Sequence, residues 1–110
     1  SPAVAAVTRL GLAAKALEGP VVAYETPLSV ETGVRALGPE FKALVEHNLS
    51  VMRAAYRAGA GQGAEVLATG SCFVEQEFID PTDGSEHLNA SGRARLAGLL
   101  AQAVRSQYGS

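Results

Sequence analysis

The sequence predicts an α/β chain with its elements in the order helix, strand, helix, strand, helix. These would form part of a three-layer α/β/α arrangement around a parallel sheet. Three observations predict it. Val21-Val22-Ala23-Tyr24 and Ala64-Glu65-Val66-Leu67-Ala68-Thr69 are short runs rich in β-formers and bounded by Pro or Gly. A long helical pattern separates them, which is the spacing of a βαβ crossover. Amphipathic helical patterns also flank the pair at both ends of the chain.

At the start, Pro2 suits a first helical turn, because its missing N–H would be unpaired there anyway. Val4, Val7, Leu10, Ala14 and Leu17 then recur at helical spacing, with Arg9, Lys15 and Glu18 between them. Gly19-Pro20 stops this helix. The first strand run follows, too short for a helix and closed by Pro27. From Glu25 to Gly38 the sequence reads as a long surface connection with a short helical turn. In a parallel α/β chain this connection leaves the carboxyl end of a strand, the edge where ligands bind. Glu25 and Arg35 are its candidate substrate contacts.

Gly38-Pro39-Glu40 opens the central helix, with Glu40 favoured by the helix dipole. Its apolar stripe is Phe41, Leu44, Val45, Leu49, Met52 and Tyr56. His47 lies off the stripe and reads as a solvated histidine. Gly59, Gly61 and Gly63 end the helix. The second strand run closes at Gly70-Ser71-Cys72-Phe73. Ser71 does not sit in a Gly-x-Ser-x-Gly elbow, since Phe73 replaces the last glycine. Cys72 has no basic neighbour in sequence to lower its pKa. Neither is taken as a nucleophile. Phe73, Val74, Phe78 and Ile79 are expected to pin the long loop that follows. Asn89 or Ser91 caps the last helix. Leu96, Leu99, Leu100, Ala103 and Val104 form its inner face, with Arg93, Arg95, Gln102 and Arg105 facing water. Leu49 and Leu100 are expected in the core.

Composition bounds the function. The chain has 110 residues and 47% hydrophobic content, enough for one core. A net charge of -2 shows no basic footprint for nucleic acid or an anionic membrane. One cysteine forms no internal disulfide. No apolar run reaches membrane-spanning length. Ser1-Pro2-Ala3-Val4 lacks the basic start of a signal peptide, and the compartment stays open. The two histidines, His47 and His87, are forty residues apart and show no metal-ligand spacing. There is no Gly-rich phosphate loop, so no cofactor and no metal are expected.

The chemistry concentrates in Asp80-Pro81-Thr82-Asp83-Gly84-Ser85-Glu86-His87-Leu88-Asn89-Ala90-Ser91-Gly92. A histidine near carboxylates, just ahead of an anchoring helix, is one half of an acid/base site. The plainer reading is structural: Asp-Gly is a turn signal, His87 bonds the backbone and Leu88 anchors the loop.

His87-Leu88-Asn89-x-x-Gly92, with Asp83 before it and Leu96-Ala97 behind, resembles the C-terminal part of SGNH (GDSL-type) hydrolases. Their fold is flavodoxin-like. The resemblance covers nearly the whole chain in element order, while the motif is confined to this block. It implies that His87 is the general base for a serine nucleophile and that Asp83 orients it. In the family the aspartate usually stands three residues before the histidine. Here that position is Gly84 and Asp83 is four before; Asp80 is the second candidate and Glu86 is adjacent. The family's Gly-Asp-Ser and Gly-x-Asn-Asp blocks do not occur in this sequence. The resemblance therefore implies a serine-dependent ester hydrolase or O-acyltransferase whose nucleophile lies outside this chain, in an N-terminal half or a second chain. Its substrate would be an ester or acylated glycan. The alternative is a non-catalytic SGNH-like domain that binds a partner or polysaccharide. Two short strands also predict that the sheet is completed by another chain or another copy.

Overall fold

The structure is a computed structural model and describes residues 1–80 and 87–109. Helix α1 (Pro2–Ala16) begins where the Ser1 hydroxyl accepts from the Val4 N–H, with proline in its first turn. Strand β1 (Ala23–Tyr24) follows the Gly19-Pro20 break. Residues read as a surface connection then form helix α2 (Val30–Leu37), capped by the Ser29 hydroxyl and ended by Gly38 at a φ of 101°. Helix α3 (Glu40–Ala60) starts directly after Pro39 and ends at Gly61, φ 110°. Strand β2 (Val66–Leu67), a 3₁₀ turn (Glu75–Glu77) and helix α4 (Ala90–Tyr108) complete the order.

The three-layer α/β/α, flavodoxin-like sheet does not form. The chain is mainly helical, 64% helix, and among the described residues its sheet is a two-stranded parallel pair with Ala23 opposite Val66 and Tyr24 opposite Leu67. Each apolar run contributes only two ladder residues. Pro20 and Pro27 bracket the first run, and after Leu67 the second turns so that the Thr69 N–H bonds the Leu67 carbonyl. Most packing is instead helix on helix, α1 against α3 and α2 against α3.

The α1–α3 contact depends on two glycines. A Cβ at Gly11 would overlap the Tyr56 carbonyl, and one at Gly59 would overlap the Thr8 carbonyl. Gly59 therefore lies inside α3 as a point of close backbone approach, not as its terminator. Gly59→Val should push the two helices apart and lower stability by about 3 kcal/mol. Gly98→Ala on α4, where an added Cβ meets nothing within 4 Å, should raise it by about 0.5–1 kcal/mol. Urea midpoints of the two variants check this pair; a Gly59→Val variant as stable as the parent would show that the helices do not touch there.

The molecule is a slab of 42 × 34 × 16 Å. Its radius of gyration is 15.0 Å, above the roughly 13 Å usual for a compact chain of about 100 residues. A slab this thin leaves apolar side chains outside. Leu10, Leu12, Leu17, Leu37, Leu44 and Val104 are all exposed, although Leu10, Leu17, Leu44 and Val104 fall on the expected stripes. Leu49 and Leu100 are half-buried rather than central. The tightest cluster is Phe73, Phe78 and Leu88, with Cys72, Leu96 and Leu99 against it. Of the four residues expected to pin the long loop, Phe73 and Phe78 do so, while Val74 and Ile79 are exposed. No helix among the described residues is long and apolar enough to cross a membrane.

Candidate functional site

The two strands run parallel, so their carboxyl ends meet, and polar groups gather there. The Glu25 carboxylate accepts from Arg53 Nε at 2.6 Å and Nη2 at 3.0 Å, a two-point ion pair, and from the Gly70 N–H at 3.1 Å. Its side chain is only 8% exposed. The hydrogen bonds that Arg53 donates to Glu25, with the carboxylate's charge, hold the Arg53 guanidinium above its ordinary pKa, against the opposing effect of burial. Thr69, the most completely buried side chain, places its hydroxyl between the Glu25 N–H and C=O. The Leu28 N–H bonds the Gly70 carbonyl. The loops after β1 and β2 are thus fastened to each other. Glu25, expected as a substrate contact, has its carboxylate held in this clamp by Arg53 and the Gly70 N–H.

The fastening continues outward along the chain. The Ser29 and Thr32 hydroxyls bond each other at 2.8 Å, and Thr32 also reaches the Glu75 carboxylate. Arg35, the other expected substrate contact, lies on α2 with its side chain 59% exposed and paired with Glu75. The Glu31 carboxylate accepts from the Glu75 N–H. Glu75 opens the 3₁₀ turn, and Glu77 at its end is buried. Its carboxylate accepts from the Val74 N–H and from Arg95 Nη1, both at 2.9 Å. Arg95 also bonds the Cys72 carbonyl and lies over the Phe73 ring, 4.8 Å from its centroid. Arg95 is exposed, as its place on the outer face of α4 predicts, and its guanidinium also ties α4 to the turn.

This chain of contacts ends at His87. The Ile79 N–H bonds the His87 carbonyl at 2.9 Å, and Phe78 pairs with Leu88 in an antiparallel bridge. Leu88 is buried. Asn89 makes five bonds: its N–H donates to the Glu77 carbonyl, its Nδ2 donates to the Gln76 and Phe78 carbonyls, its Oδ1 accepts from the Gly92 N–H as the α4 cap, and its carbonyl accepts from the Arg93 N–H. Gly92 leaves no room for a Cβ, which would overlap the Glu77 carbonyl. Leu88, Asn89 and Gly92 are thus all used to fix the backbone. His87 itself is exposed on that fixed backbone.

No family model, no curated protein and no solved structure matches the chain. The site must be read from its own geometry. Asp83, expected to orient His87, and Glu86 lie outside the described residues. Asp80 is described and half-buried, and both it and His87 are engaged in interactions. Among the described residues no group of three metal-ligating side chains comes together. Cys72 sits half-buried with its Sγ 3.8 Å from the Thr69 carbonyl, a packed setting rather than a reactive one. Ser71 is exposed. His47 is exposed on α3, as its position off the stripe predicts. Sequence reasoning missed Arg53, Thr69, Glu75, Glu77 and the role of Arg95. Their partners are 18 to 44 residues away along the chain, and no local pattern carries such pairings. Only the Ser29-x-x-Thr32 cap of α2 had a local signal.

Proposed function

We propose that this chain supplies the general base of a serine-dependent ester hydrolase or O-acyltransferase of the SGNH type, with His87 as that base. The observation that carries the reading is the setting of His87. An exposed imidazole stands on backbone that the Ile79 bond to its carbonyl, a buried bridge at Leu88 and the Asn89 bonds hold. A catalytic group needs that fixity, because a misplaced base loses its hydrogen bond to the proton it must take.

In this reading one imidazole nitrogen takes the proton of a serine hydroxyl as the serine oxygen attacks the ester carbonyl. The same nitrogen returns that proton to the departing alcohol, leaving an acyl-serine. Water or an acceptor hydroxyl then attacks the acyl-serine with the same proton exchange. A carboxylate on the other nitrogen, Asp83 first and Asp80 second, would fix the tautomer and stabilise the imidazolium. The serine and its oxyanion donors come from outside these 110 residues. The substrate is an ester or an acylated glycan, with Arg35 as the exposed contact on the α2 side.

The test is turnover of an activated acetyl ester. The 110-residue chain alone should match a His87→Ala chain, since it brings no nucleophile. Joined to the part that carries the serine, it should hydrolyse the ester. An assembled protein that turns over neither the ester nor an acetylated sugar would overturn the assignment. The second reading is a non-catalytic SGNH-like binding domain. It is favoured by a different observation: an open apolar groove of about 640 Å³ beside β1, distant in sequence from His87.

A further inference from the structure

The groove beside β1 is walled by α1 through Val7 and Leu10, by Leu17 just past its end, and by α3 through Leu49 and Met52. Residues Val21 to Tyr24 of the strand run along it. Leu10 is 61% exposed and Leu17 65%, so this apolar surface is open.

The direction of the backbone decides what fits. The Thr69 hydroxyl contacts the Glu25 N–H, the Glu25 C=O and, at 3.5 Å, the Leu67 carbonyl. Glu25 therefore turns its main-chain groups towards β2. Successive residues of an extended strand direct these groups to opposite edges, so Ala23 also faces β2. The N–H and C=O of Val22 and Tyr24 then face the other edge, where the sheet has no further strand among the described residues. No hydrogen bond to these outward groups is formed by the described side chains or loops. Main-chain donors and acceptors beside apolar walls are costly when unpaired.

We infer that the outer edge of β1 takes an extended, uncharged strand from a partner polypeptide, which pairs with the main chain of Val22 and Tyr24 and lays alternate aliphatic side chains between α1 and α3. Charge selects the same occupant. The charged groups that line the groove among the described residues, Glu25 and Arg53, neutralise each other, so a charged side chain placed there would lose water without gaining a counter-ion. A purely hydrocarbon ligand would fill the walls and leave the backbone groups unmet. A strand satisfies both, by the sheet-edge mode of peptide recognition. The inference is independent of any chemistry at His87.

Amide hydrogen exchange on the 110-residue chain tests it. The probe is a ten-residue peptide of alternating valine and serine with a lysine at each end. In the free chain Val22 and Tyr24 should exchange about tenfold or more faster than Ala23 and Glu25. Added peptide should slow Val22 and Tyr24, and the same peptide N-methylated at alternate amides should not. Leu10→Glu should weaken binding about tenfold or more by placing a charge on the wall. Val22→Pro should do the same by removing an outward donor that the β1–β2 pairing does not use. Equal protection of all four amides in the free chain would overturn the inference. So would a peptide that fails to bind, or one that binds equally well when N-methylated. Protection of Val22 and Tyr24 that rises with protein concentration alone would assign the edge to a second copy of the chain and would also overturn it.

Discussion

Phe78→Ala should lower the stability of the chain by about 3–5 kcal/mol, the range for truncating a buried phenylalanine. Phe78 is 2% exposed and forms the tightest cluster with Phe73 and Leu88. Its backbone carries the bridge to Leu88, and its carbonyl accepts from Asn89. The cavity left by the ring would loosen the step between the 3₁₀ turn and α4. A loss of that size is a large part of the roughly 5–15 kcal/mol that holds a typical domain folded. Ile79, the next residue, is 62% exposed, and its truncation should cost under about 0.5 kcal/mol. Urea unfolding followed by circular dichroism distinguishes the two. Equal shifts in midpoint would mean that this cluster is not the core.

The same two neighbours show what a sequence can and cannot tell. Phe78 and Ile79 are both apolar, and nothing local says which one turns inward. Punctuation was legible: Gly19-Pro20 ends α1, Gly38-Pro39-Glu40 opens α3 and Asn89 caps α4. These are local effects of backbone geometry and capping, so local residues announce them. Helical periodicity was legible as well, but periodicity names a face and not what covers it. Leu10, Leu17, Leu44 and Val104 were read onto stripes and are exposed because nothing among the described residues packs over them. The strands were the largest error of extent. Val21–Tyr24 and Ala64–Thr69 have strand composition, yet only two residues of each pair, because ladder length depends on a partner and not on composition. Without further paired strands the three-layer sheet expected from element order has nothing to build on.

For the candidate site, the local half was readable. His87-Leu88-Asn89-x-x-Gly92 announced an anchored loop entering a helix, and Leu88, Asn89 and Gly92 each anchor it. The tertiary half was not readable. Glu25 was singled out as a ligand contact for its place after a strand. Its two-point bond to Arg53, 28 residues on, is what fixes that place. Arg95 was assigned to a solvated face and is exposed there, but periodicity did not show that its guanidinium also ties Glu77 and Phe73 to α4. Long side chains that leave one face to meet a partner elsewhere defeat periodicity.

In the proposed mechanism His87 moves the proton. In the complete, serine-bearing protein, His87→Ala should lower kcat for an activated ester by about three to six orders of magnitude, as loss of the base does in serine hydrolases. Asp83→Asn should cost less, since an orienting carboxylate acts through the imidazole. The His87 side chain is exposed and its neighbours hold the backbone through their own bonds. The alanine variant should therefore unfold within about 0.5 kcal/mol of the parent, as exposed substitutions do, separating lost chemistry from lost fold. The most direct measurement is kcat of that variant, with and without added imidazole, beside its urea midpoint. The account predicts a folded protein with turnover reduced at least about a thousandfold and partly restored by imidazole. A folded His87→Ala protein that keeps the parent's turnover would contradict it.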